Sequence, residues 1–476
     1  MNDANWIQVL NELVDKISTR VWGPYMLTLL VGTGILFTFR LAFLQFRLLP
    51  YALKQAFVPH KSSADHEGDV SHFGALMTAL SATIGTGNIA GVATAVALGG
   101  PGAVFWMWMT ALAGMATKYA EGVLAVKYRE TNSRGEMSGG PMYYIEKGMR
   151  QKWLAVLFAL FAVLASFGIG SSVQSNSVAD AVYHSFNIDP LWTGVFLTVF
   201  TGVVVLGGIR WIATASSFIV PLMAVGYVLG GLAVLAYNVE LFIPAVKIIL
   251  NDAFSASAIG GGAIGTMIRY GVARGVFSNE AGMGSAPIAA AAARTDHPVR
   301  QALVSMTGTF LDTIVVCSIT GIVLVMGLIK MKVIAISGGA FLQPISGGAS
   351  LTVTTFDQML PGQGGLLVSV GLMFFAYSTI LGWCYYGEKC AAYLLGDRFV
   401  PVYRIIYVAT VMLGCMVVQT GNEAGDQAGV KLVWNIADTF NGLMAAPNLI
   451  ALIWLSSVVV AETKDFLAKR KSGELE

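Results

Sequence analysis

Apolar runs long enough to cross a lipid bilayer recur from end to end of this chain of 476 residues. A bilayer core about 30 Å thick requires about 20 apolar residues in a helix. Charged residues make up only 12% of the sequence, about half the proportion usual in soluble domains. The sequence therefore predicts an all-α membrane protein with about eleven transmembrane helices. We place these helices at residues 23–45, 72–97, 103–127, 153–183, 190–208, 211–237, 252–275, 298–329, 363–394, 402–420 and 430–461.

Lysine and arginine are concentrated in every second loop between the predicted helices. The basic loops and the tail hold Arg40, Arg47, Lys54, Lys61, Lys127, Arg129, Arg134, Lys147, Arg150, Lys152, Arg210, Arg274, Arg294, Arg300, Lys389, Arg398, Arg404, Lys464, Lys469, Arg470 and Lys471. The loops 184–190 and 420–429 contain none, and Lys330 and Lys332 are a mild exception in an exterior segment. Because cytoplasmic loops are rich in lysine and arginine, we expect an external N-terminus and a cytoplasmic C-terminus. The membrane would be the inner or plasma membrane of a bacterium or archaeon.

The ends of the chain differ from its apolar interior. The first residues, which include Asp3 and Glu12, are too polar for a signal peptide. We predict a periplasmic amphipathic segment at 1–22, an accessory helix at 23–45 and a cytoplasmic tail at 462–476. The four cysteines lie in apolar stretches without a CxxC pair, which favours packing over metal binding or redox chemistry. We therefore expect no cofactor.

The second and seventh predicted helices contain glycine clusters at membrane depth. The clusters are Ser81–Asn88, SATIGTGN, and Ala258–Gly265, AIGGGAIG. Glycine costs about 1 kcal/mol per residue in a helix interior, and unwound backbone is tolerated in a membrane only where it lines a cavity or is buried in protein. The clusters therefore indicate interrupted helices, with close packing through small residues as the alternative.

The positions of the two clusters indicate a repeat. Without the accessory helix, ten predicted helices divide into five-helix units at 72–237 and 252–461, and the first helix of each unit contains a cluster. These two helices cross the membrane in opposite directions, which is typical of an inverted-repeat transporter with its site near the midplane. A channel is an alternative, because interrupted helices also build pores. The corresponding positions in the two units favour alternating access.

An interrupted helix offers a ligand both free backbone amides, which attract anions, and free carbonyls, which attract cations. Free backbone amides and the positive end of the helix dipole bind carboxylates. We expect such amides at Gly85, Thr86, Gly87 and Asn88. Free carbonyls at Ser81 and Ile84 are suited to a hard cation such as sodium. The hydroxyls of Ser378 and Thr379 can complete its shell, although bonding to a carbonyl of their own helix is the alternative.

Several motifs resemble the alanine or glycine:cation symporter family. They are ATIGTGNIAGVAT at 82–94, GGPGA at 99–103, SGGPMYY at 138–144, FSNEAGMGSAP at 277–287 and PNL at 447–449. The resemblance implies a LeuT-type 5+5 inverted-repeat fold of the amino acid–polyamine–cation superfamily, with one extra N-terminal helix. It also implies sodium-coupled import of alanine or glycine, with proton coupling or a different small amino acid as the alternative.

The superfamily site can be placed on this chain residue by residue. The resemblance implies a sodium ion between the carbonyls of Ser81, Ile84 and Phe375 and the hydroxyls of Ser378 and Thr379. The glycines of the second cluster would line the substrate pocket opposite the first interruption, at Gly260, Gly261 and Gly262.

Two further residues are candidates for the substrate pocket. Gln174 lies in the polar stretch SSVQSN of the fourth predicted helix, and its amide can contact both ends of an amino acid. A hydrogen bond between helices is the alternative. Trp383 lies one turn beyond Thr379 and can wall a small pocket, with ordinary packing as the alternative.

Other polar residues remain open or structural. Asp312 lies near the middle of the eighth predicted helix, where a carboxylate indicates function by default, although a structural bond to another helix is equally compatible. Asp438 and Glu121 lie nearer the ends of their helices and are interpreted as structural. The segment 277–287 is interpreted as a cytoplasmic gating or packing loop. A serine hydrolase using Ser285 is disfavoured, because no histidine or lysine is evidently placed to activate it at depth.

Overall fold

The computed structural model describes residues 3–58, 66–254, 263–334, 347–417 and 424–475, together with Phe341 and Ile345. The helices of the first half are α1 Asp3–Val21, α2 Pro24–Arg40, α3 Leu44–Arg47, α4 Leu49–Phe57, α5 His72–Thr83, α6 Ala90–Gly99, α7 Ala103–Lys127, α8 Pro141–Gly148, α9 Lys152–Ala165, α10 Val173–Phe186, α11 Pro190–Leu206, α12 Gly208–Tyr237 and α13 Val239–Ala253. A π-helical segment, Ser166–Ser172, joins α9 to α10. Strands β1 Glu130–Thr131 and β2 Met137–Ser138 form a small antiparallel hairpin.

The second half is again helical. Its helices are α14 Ala263–Asn279, α15 Ala286–Ala290, α16 Pro298–Thr309, α17 Ser318–Lys330, α18 Ala349–Met359, α19 Gly364–Leu395, α20 Val400–Met416, α21 Ala424–Trp454 and α22 Ser456–Ser472. A π-helical segment, Phe310–Cys317, joins α16 to α17. The long helix α7 packs against α2, α14 and α16, so it lies between the accessory helix and elements of the second half.

The described helices account for the predicted membrane segments to different degrees. Seven stretches are long and apolar enough to cross a membrane, and the bent pair α5–α6 makes an eighth. The seven are Val9–Arg40, Lys152–Tyr183, Gly208–Tyr237, Pro298–Lys330, Gly364–Leu395, Asp397–Met416 and Leu432–Trp454. The three other predicted segments overlap α7, α11 and α14, of which α11 has 17 residues while α7 and α14 carry charged residues. The all-α membrane class is confirmed, and the count of eleven crossings stays a prediction.

Large apolar side chains cover the outward faces of α11 and α12. Phe196 and Phe200 on α11 are exposed, as are Trp211, Phe218 and Leu229 on α12. An apolar surface of this extent is unfavourable in water and marks contact with a partner or a membrane. On these helices it is the surface expected to face lipid.

The loops predicted to share the cytoplasmic side meet at one end of the structure. The Arg129 guanidinium, after α7, donates to the carbonyl of Ala293, after α15, over 2.6 Å. Lys389 Nζ, near the end of α19, lies 2.9 Å from Glu136 Oε2 in the hairpin. Burial raises the pKa of Glu136, but Lys389 and Arg134 outweigh burial and hold this pKa below its usual value. The loops therefore lie together, as their common basic composition predicts.

The first two helices pack against different parts of the bundle. Helix α1 contacts α21, and Trp22 Nε1, after α1, donates to the carbonyl of Asp438 over 3.0 Å. Helix α2 packs on α7 at Gly34, where an added Cβ would lie 2.7 Å from the carbonyl oxygen of Ala113. Glycine at 34 therefore permits close backbone contact between the accessory helix and the bundle.

We expect Gly34→Val to lower the free energy of unfolding by about 1–3 kcal/mol, because the side chain would overpack this contact. Gly32→Val is the matched control, since an added Cβ at Gly32 meets no atom within 4 Å and both variants place valine in the same helix. Thermal unfolding of the purified variants in detergent measures the difference. Equal midpoints for the two variants would show that α2 does not depend on this contact.

Candidate functional site

The first helix interruption lies where the glycines predict it. Helix α5 ends at Thr83 and α6 begins at Ala90, and the pair is bent by 60°. A single 3-10 turn, Thr86–Asn88, connects them. An added Cβ at Gly85 would lie 2.5 Å from Thr379 Oγ1, so glycine is needed there because α19 approaches the backbone closely.

Two of the four amides predicted to bind a carboxylate are open. The Gly85 amide donates to Asn88 Oδ1 over 2.9 Å, and the Asn88 amide donates to the Gly85 carbonyl over 3.2 Å. Within the part of the chain that the structure describes, the amides of Thr86 and Gly87 have no acceptor. Unpaired amides at membrane depth indicate a place where a ligand completes the hydrogen bonding.

The predicted second interruption lies largely outside the described residues, and the structure describes an interruption farther along the chain. Gly260, Gly261 and Gly262 fall outside the described residues, and α14 runs without a break from Ala263 to Asn279. The described break follows α14, where Glu280, Gly282 and Gly284 have positive φ angles of 55°, 87° and 84°. Helix α15 begins at Ala286. The backbone thus leaves helical geometry within the motif FSNEAGMGSAP.

This interruption lies in the segment 277–287, which the sequence analysis interprets as a cytoplasmic gating or packing loop, and its polar side chains are buried. Ser278, Asn279, Glu280 and Ser285 are all buried. An added Cβ at Gly87 would lie 3.3 Å from Ser278 Cα and 3.3 Å from Phe277 Cδ1. The two interruptions therefore touch each other, as an inverted-repeat site requires.

Asp312, in the π-helical segment Phe310–Cys317, joins the two interruptions. Its Oδ1 accepts from Asn88 Nδ2 over 2.6 Å, and its Oδ2 accepts from Ser278 Oγ over 3.0 Å. Thr313 Oγ1 donates to the same Oδ2 over 2.8 Å. Asp312 thus makes hydrogen bonds to other elements, which was the structural one of its two interpretations. Asn88 is also occupied by these bonds, and its predicted contact with substrate stays a prediction.

Four of the five predicted sodium ligands have oxygen atoms close together where α19 meets the first interruption, and both hydroxyls make the bond to a carbonyl of their own helix that was the structural alternative. Thr379 Oγ1 lies 3.4 Å from the carbonyl oxygen of Ile84 and 2.9 Å from that of Phe375. Ser378 Oγ lies 2.9 Å from the Phe375 carbonyl oxygen. Ser81 is buried one turn before Ile84. Carbonyl and hydroxyl oxygens are ligands that suit a hard cation, so the donor set fits sodium.

Gln174 reaches the first interruption from α10. Its Nε2 donates to Thr86 Oγ1 over 3.2 Å and to the Ile169 carbonyl over 3.0 Å. Its Oε1 is buried without a described partner and would lie 3.5 Å from a Cβ added at Gly85. Gln174 therefore makes the interhelix bond that was the structural alternative, and it also keeps an unused acceptor beside the open amides.

Trp383 is buried on α19 one turn beyond Thr379. It packs against Gly170 in the π-helical segment of residues 166–172, where an added Cβ would lie 2.4 Å from Trp383 Cβ. Its ring also contacts the edge of Tyr386, with centroids 5.7 Å apart. The structure thus gives Trp383 a packing role and brings it to the helix that carries Gln174.

A small cavity lies on the side of Phe277 that faces away from Gly87. Its volume is about 160 Å³ and its lining includes Trp22, Arg274, Phe277 and Asp438. The Arg274 guanidinium lies 5.3 Å from the centre of the Phe277 ring and 3.9 Å from Asp438 Oδ2. Asp438 thus has an ion-pair partner. Phe277 separates this cavity from Gly87.

The sequence analysis passed over Lys118 and interpreted Glu121 as structural. Both side chains are buried on α7, and Lys118 interacts with Glu280. Ser285 Oγ donates to Glu280 Oε2 over 2.6 Å. The available signal was the presence of ionisable residues within a membrane segment, which indicates function by default.

Comparison with known proteins identifies the family. The chain matches the Sodium:alanine symporter family over residues 7–476. The sodium/alanine symporter AgcS of Methanococcus maripaludis is 59% identical over 465 residues, which cover 97% of this chain and 98% of AgcS. The probable sodium/glutamine symporter GlnT of Bacillus subtilis is 36% identical over 469 residues, which cover 98% of this chain and 93% of GlnT.

The fold is similar to that in the crystal structure of MhsT in complex with L-phenylalanine. The TM-score is 0.57 at 15% sequence identity, and the match covers 83% of this chain and 98% of MhsT. This likeness confirms the LeuT-type fold. Because the family consists of transporters, the protein is a transporter and not an enzyme. The match over residues 7–476 and the 59% identity to AgcS establish that the chain belongs to the sodium:alanine symporter family.

Proposed function

We propose that the protein imports alanine or glycine together with sodium by alternating access, through the two touching interruptions. The observation that carries this proposal is the position of two open amides, those of Thr86 and Gly87, beside an oxygen cluster on α19. One group suits a carboxylate and the other suits a cation. The open amides lie on the short segment between α5 and α6, and the same segment contributes the Ile84 carbonyl to the oxygen cluster.

In this proposal, the amides of Thr86 and Gly87 hold the substrate carboxylate, with the positive end of the α6 dipole behind them. Gln174 Oε1 accepts a hydrogen bond from the ammonium group, which would otherwise leave this buried oxygen unpaired. Gly85 and Asn88 shape the interruption, and Trp383 limits the pocket on the α19 side.

A small side chain suits this site best. Phe277 Cδ1 would lie only 3.3 Å from a Cβ added at Gly87, and Gln174 Oε1 only 3.5 Å from one added at Gly85. These short distances favour glycine or alanine over a longer amino acid such as glutamine, for which one relative is named. Competition by glycine, alanine and glutamine for uptake distinguishes these substrates.

The sodium ion is proposed to bind among the oxygens of Ser81, Ile84, Phe375, Ser378 and Thr379. Ile84 and Gly85 are consecutive, so an ion that fixes the Ile84 carbonyl also fixes the start of the segment that carries the open amides. Sodium binding therefore favours carboxylate binding, and the effect is reciprocal by thermodynamic linkage. This shared segment accounts for coupling without a contact between ion and substrate.

The orientation of the protein in the membrane is also part of the proposal. The basic loops that meet at one end, including Arg129 and Lys389, are proposed to face the cytoplasm of a bacterium or archaeon. The N-terminus and the cavity above Phe277 then face outward, and substrate enters from that side. The first half of α5 and the segment 277–285 then lie nearer the cytoplasmic end.

We expect uptake of alanine or glycine into proteoliposomes to require sodium and to carry net positive charge, because a zwitterion moves with a cation. One sodium ion crossing about 100 mV contributes about 2.3 kcal/mol, and a tenfold gradient adds about 1.4 kcal/mol. Together they permit accumulation of about several hundredfold. Equal uptake with choline in place of sodium at constant pH would contradict sodium coupling, and a proton gradient that drives uptake alone would favour the alternative ion.

Thr379→Ala should weaken sodium binding more than substrate binding, because the hydroxyl lies between the carbonyls of Ile84 and Phe375. Losing a hydrogen-bond-scale contact to an ion, about 1.5–3 kcal/mol, should raise the apparent sodium constant by about tenfold or more. Ser369→Ala, ten residues earlier on α19 and so about 15 Å away along the helix, is the control. If the sodium dependence of Thr379→Ala overlays that of the parent, Thr379 is not a ligand.

Gly87→Val should abolish alanine binding in protein that still folds, because its side chain would meet Ser278 Cα and Phe277 beside the open amide. Gly91→Val is the matched control on the same interrupted helix, since an added Cβ at Gly91 meets no atom within 4 Å. Binding is measured by calorimetry on monodisperse protein in saturating sodium. Normal binding by Gly87→Val would place the carboxylate site elsewhere.

A further inference from the structure

Helix α7 carries two buried ionisable residues that contact opposite ends of the second interruption. Lys118 Nζ donates to the carbonyl oxygen of Asn279, the last residue of α14, over 2.8 Å. Glu121 Oε1 accepts from the amide of Gly284, two residues before α15, over 3.0 Å. Residues three apart lie on one face of a helix, so a single face of α7 spans the gap between α14 and α15.

Each residue supplies the hydrogen-bonding group that the end it contacts lacks. The last carbonyls of a helix have no donors within that helix, and the amides before the next helix have no acceptors. Lys118 supplies the missing donor to the Asn279 carbonyl, and Glu121 supplies the missing acceptor to the Gly284 amide. In a buried segment such groups are rarely left unpaired.

Asn448 on α21 completes the arrangement. Its Nδ2 donates to Glu121 Oε1 over 2.6 Å and to the Gly282 carbonyl over 2.9 Å, and its Oδ1 accepts from the Tyr144 hydroxyl. Glu121 therefore receives donors from the interruption and from α21 on one oxygen. These contacts fix the interruption against two helices at once.

We propose that Lys118 and Glu121 are positioning residues that hold the second interruption in the geometry needed for substrate binding. Asn279 follows Ser278, whose Cα lies against Gly87, so the carbonyl held by Lys118 is one residue from the backbone that meets the open amides. The inference rests on the proposed function, because it assigns α7 a role in shaping that same substrate site. Lys118 and Glu121 touch no substrate themselves.

A competing role for Glu121 is proton transfer, and the hydrogen bonds distinguish the two roles. Both of its donors, Gly284 N and Asn448 Nδ2, bind Oε1, and Oε2 has no partner among the described residues. A glutamine carbonyl oxygen can accept the same two bonds but cannot carry a proton. Positioning therefore tolerates Glu121→Gln, whereas proton transfer does not.

The test compares Lys118→Met, Glu121→Gln and Glu121→Leu with the parent, using purified full-length protein. The control is Lys127→Met, which removes an exposed lysine of the same helix whose partner is Glu462. Alanine dissociation constants in saturating sodium, the apparent sodium constant at saturating alanine and proteoliposome uptake are measured. Monodispersity and thermal midpoint report folding separately.

We expect Lys118→Met and Glu121→Leu to weaken alanine binding at least tenfold while the apparent sodium constant changes less than about threefold. Glu121→Gln and Lys127→Met should stay within about threefold of the parent in binding and uptake. A merely structural role would instead lower the thermal midpoint and raise both the alanine dissociation constant and the apparent sodium constant. If Lys118→Met is not recovered as monodisperse protein, the comparison of alanine binding by Glu121→Gln and Glu121→Leu tests the inference by itself.

Two results would overturn the inference: normal alanine binding by both Lys118→Met and Glu121→Leu, or a loss in Glu121→Gln equal to that in Glu121→Leu. The second result would favour proton transfer. Failure of the proposed function is distinguishable, because the parent itself would then show no sodium-dependent binding of alanine or glycine. In that case the other amino acids are tested as ligands, and the rise in thermal midpoint that each one produces is compared between Lys118→Met and the parent.

Discussion

Backbone groups that leave a helix inside a bilayer need partners, because no water is available there to satisfy them. Around the first interruption, Asn88 supplies an acceptor for Gly85 and a donor to Asp312. Around the second, Lys118 and Glu121 supply a donor and an acceptor. The arrangement of α7 and of the π-helical segment Phe310–Cys317 follows from this requirement, since both bring polar side chains to places where the backbone is open.

The first interruption was predictable because its cause is local. Gly85 and Gly87 weaken the helix, and their glycine identity reflects close approach by Thr379 and Ser278. The interruption after α14 was not predicted, although Gly282 and Gly284 lie within it. Its contacts with Lys118 and Glu121 join residues more than 150 positions apart in the chain. Contacts over such a separation leave no local pattern in the sequence.

The roles of single polar residues were harder to predict than the helices. Apolar length alone located helices at all the predicted segments, with α14 shifted from its expected bounds. It did not show that Asn88 is engaged by Asp312, a residue 224 positions away. The Ile84 carbonyl and the Thr379 hydroxyl were predicted from the interruption and from the adjacent hydroxyls of α19. The Phe375 carbonyl came only from resemblance to a superfamily, because a carbonyl has no side-chain signature in a sequence. The structure brings these three oxygens together.

The few polar groups left without partners near the interruptions are therefore informative. Most buried polar groups in proteins are hydrogen-bonded, and here the neighbours of Thr86 and Gly87 conform to that rule. Around the first interruption, the groups without a partner among the described residues include two donors, the amides of Thr86 and Gly87, and one acceptor, Gln174 Oε1. Donors for a carboxylate and an acceptor for an ammonium group are the complement of an amino acid zwitterion. Because Gly85 and Gly87, beside these groups, closely approach Thr379 and Phe277, we expect a substrate with a small side chain to suit the site better than one with a long side chain.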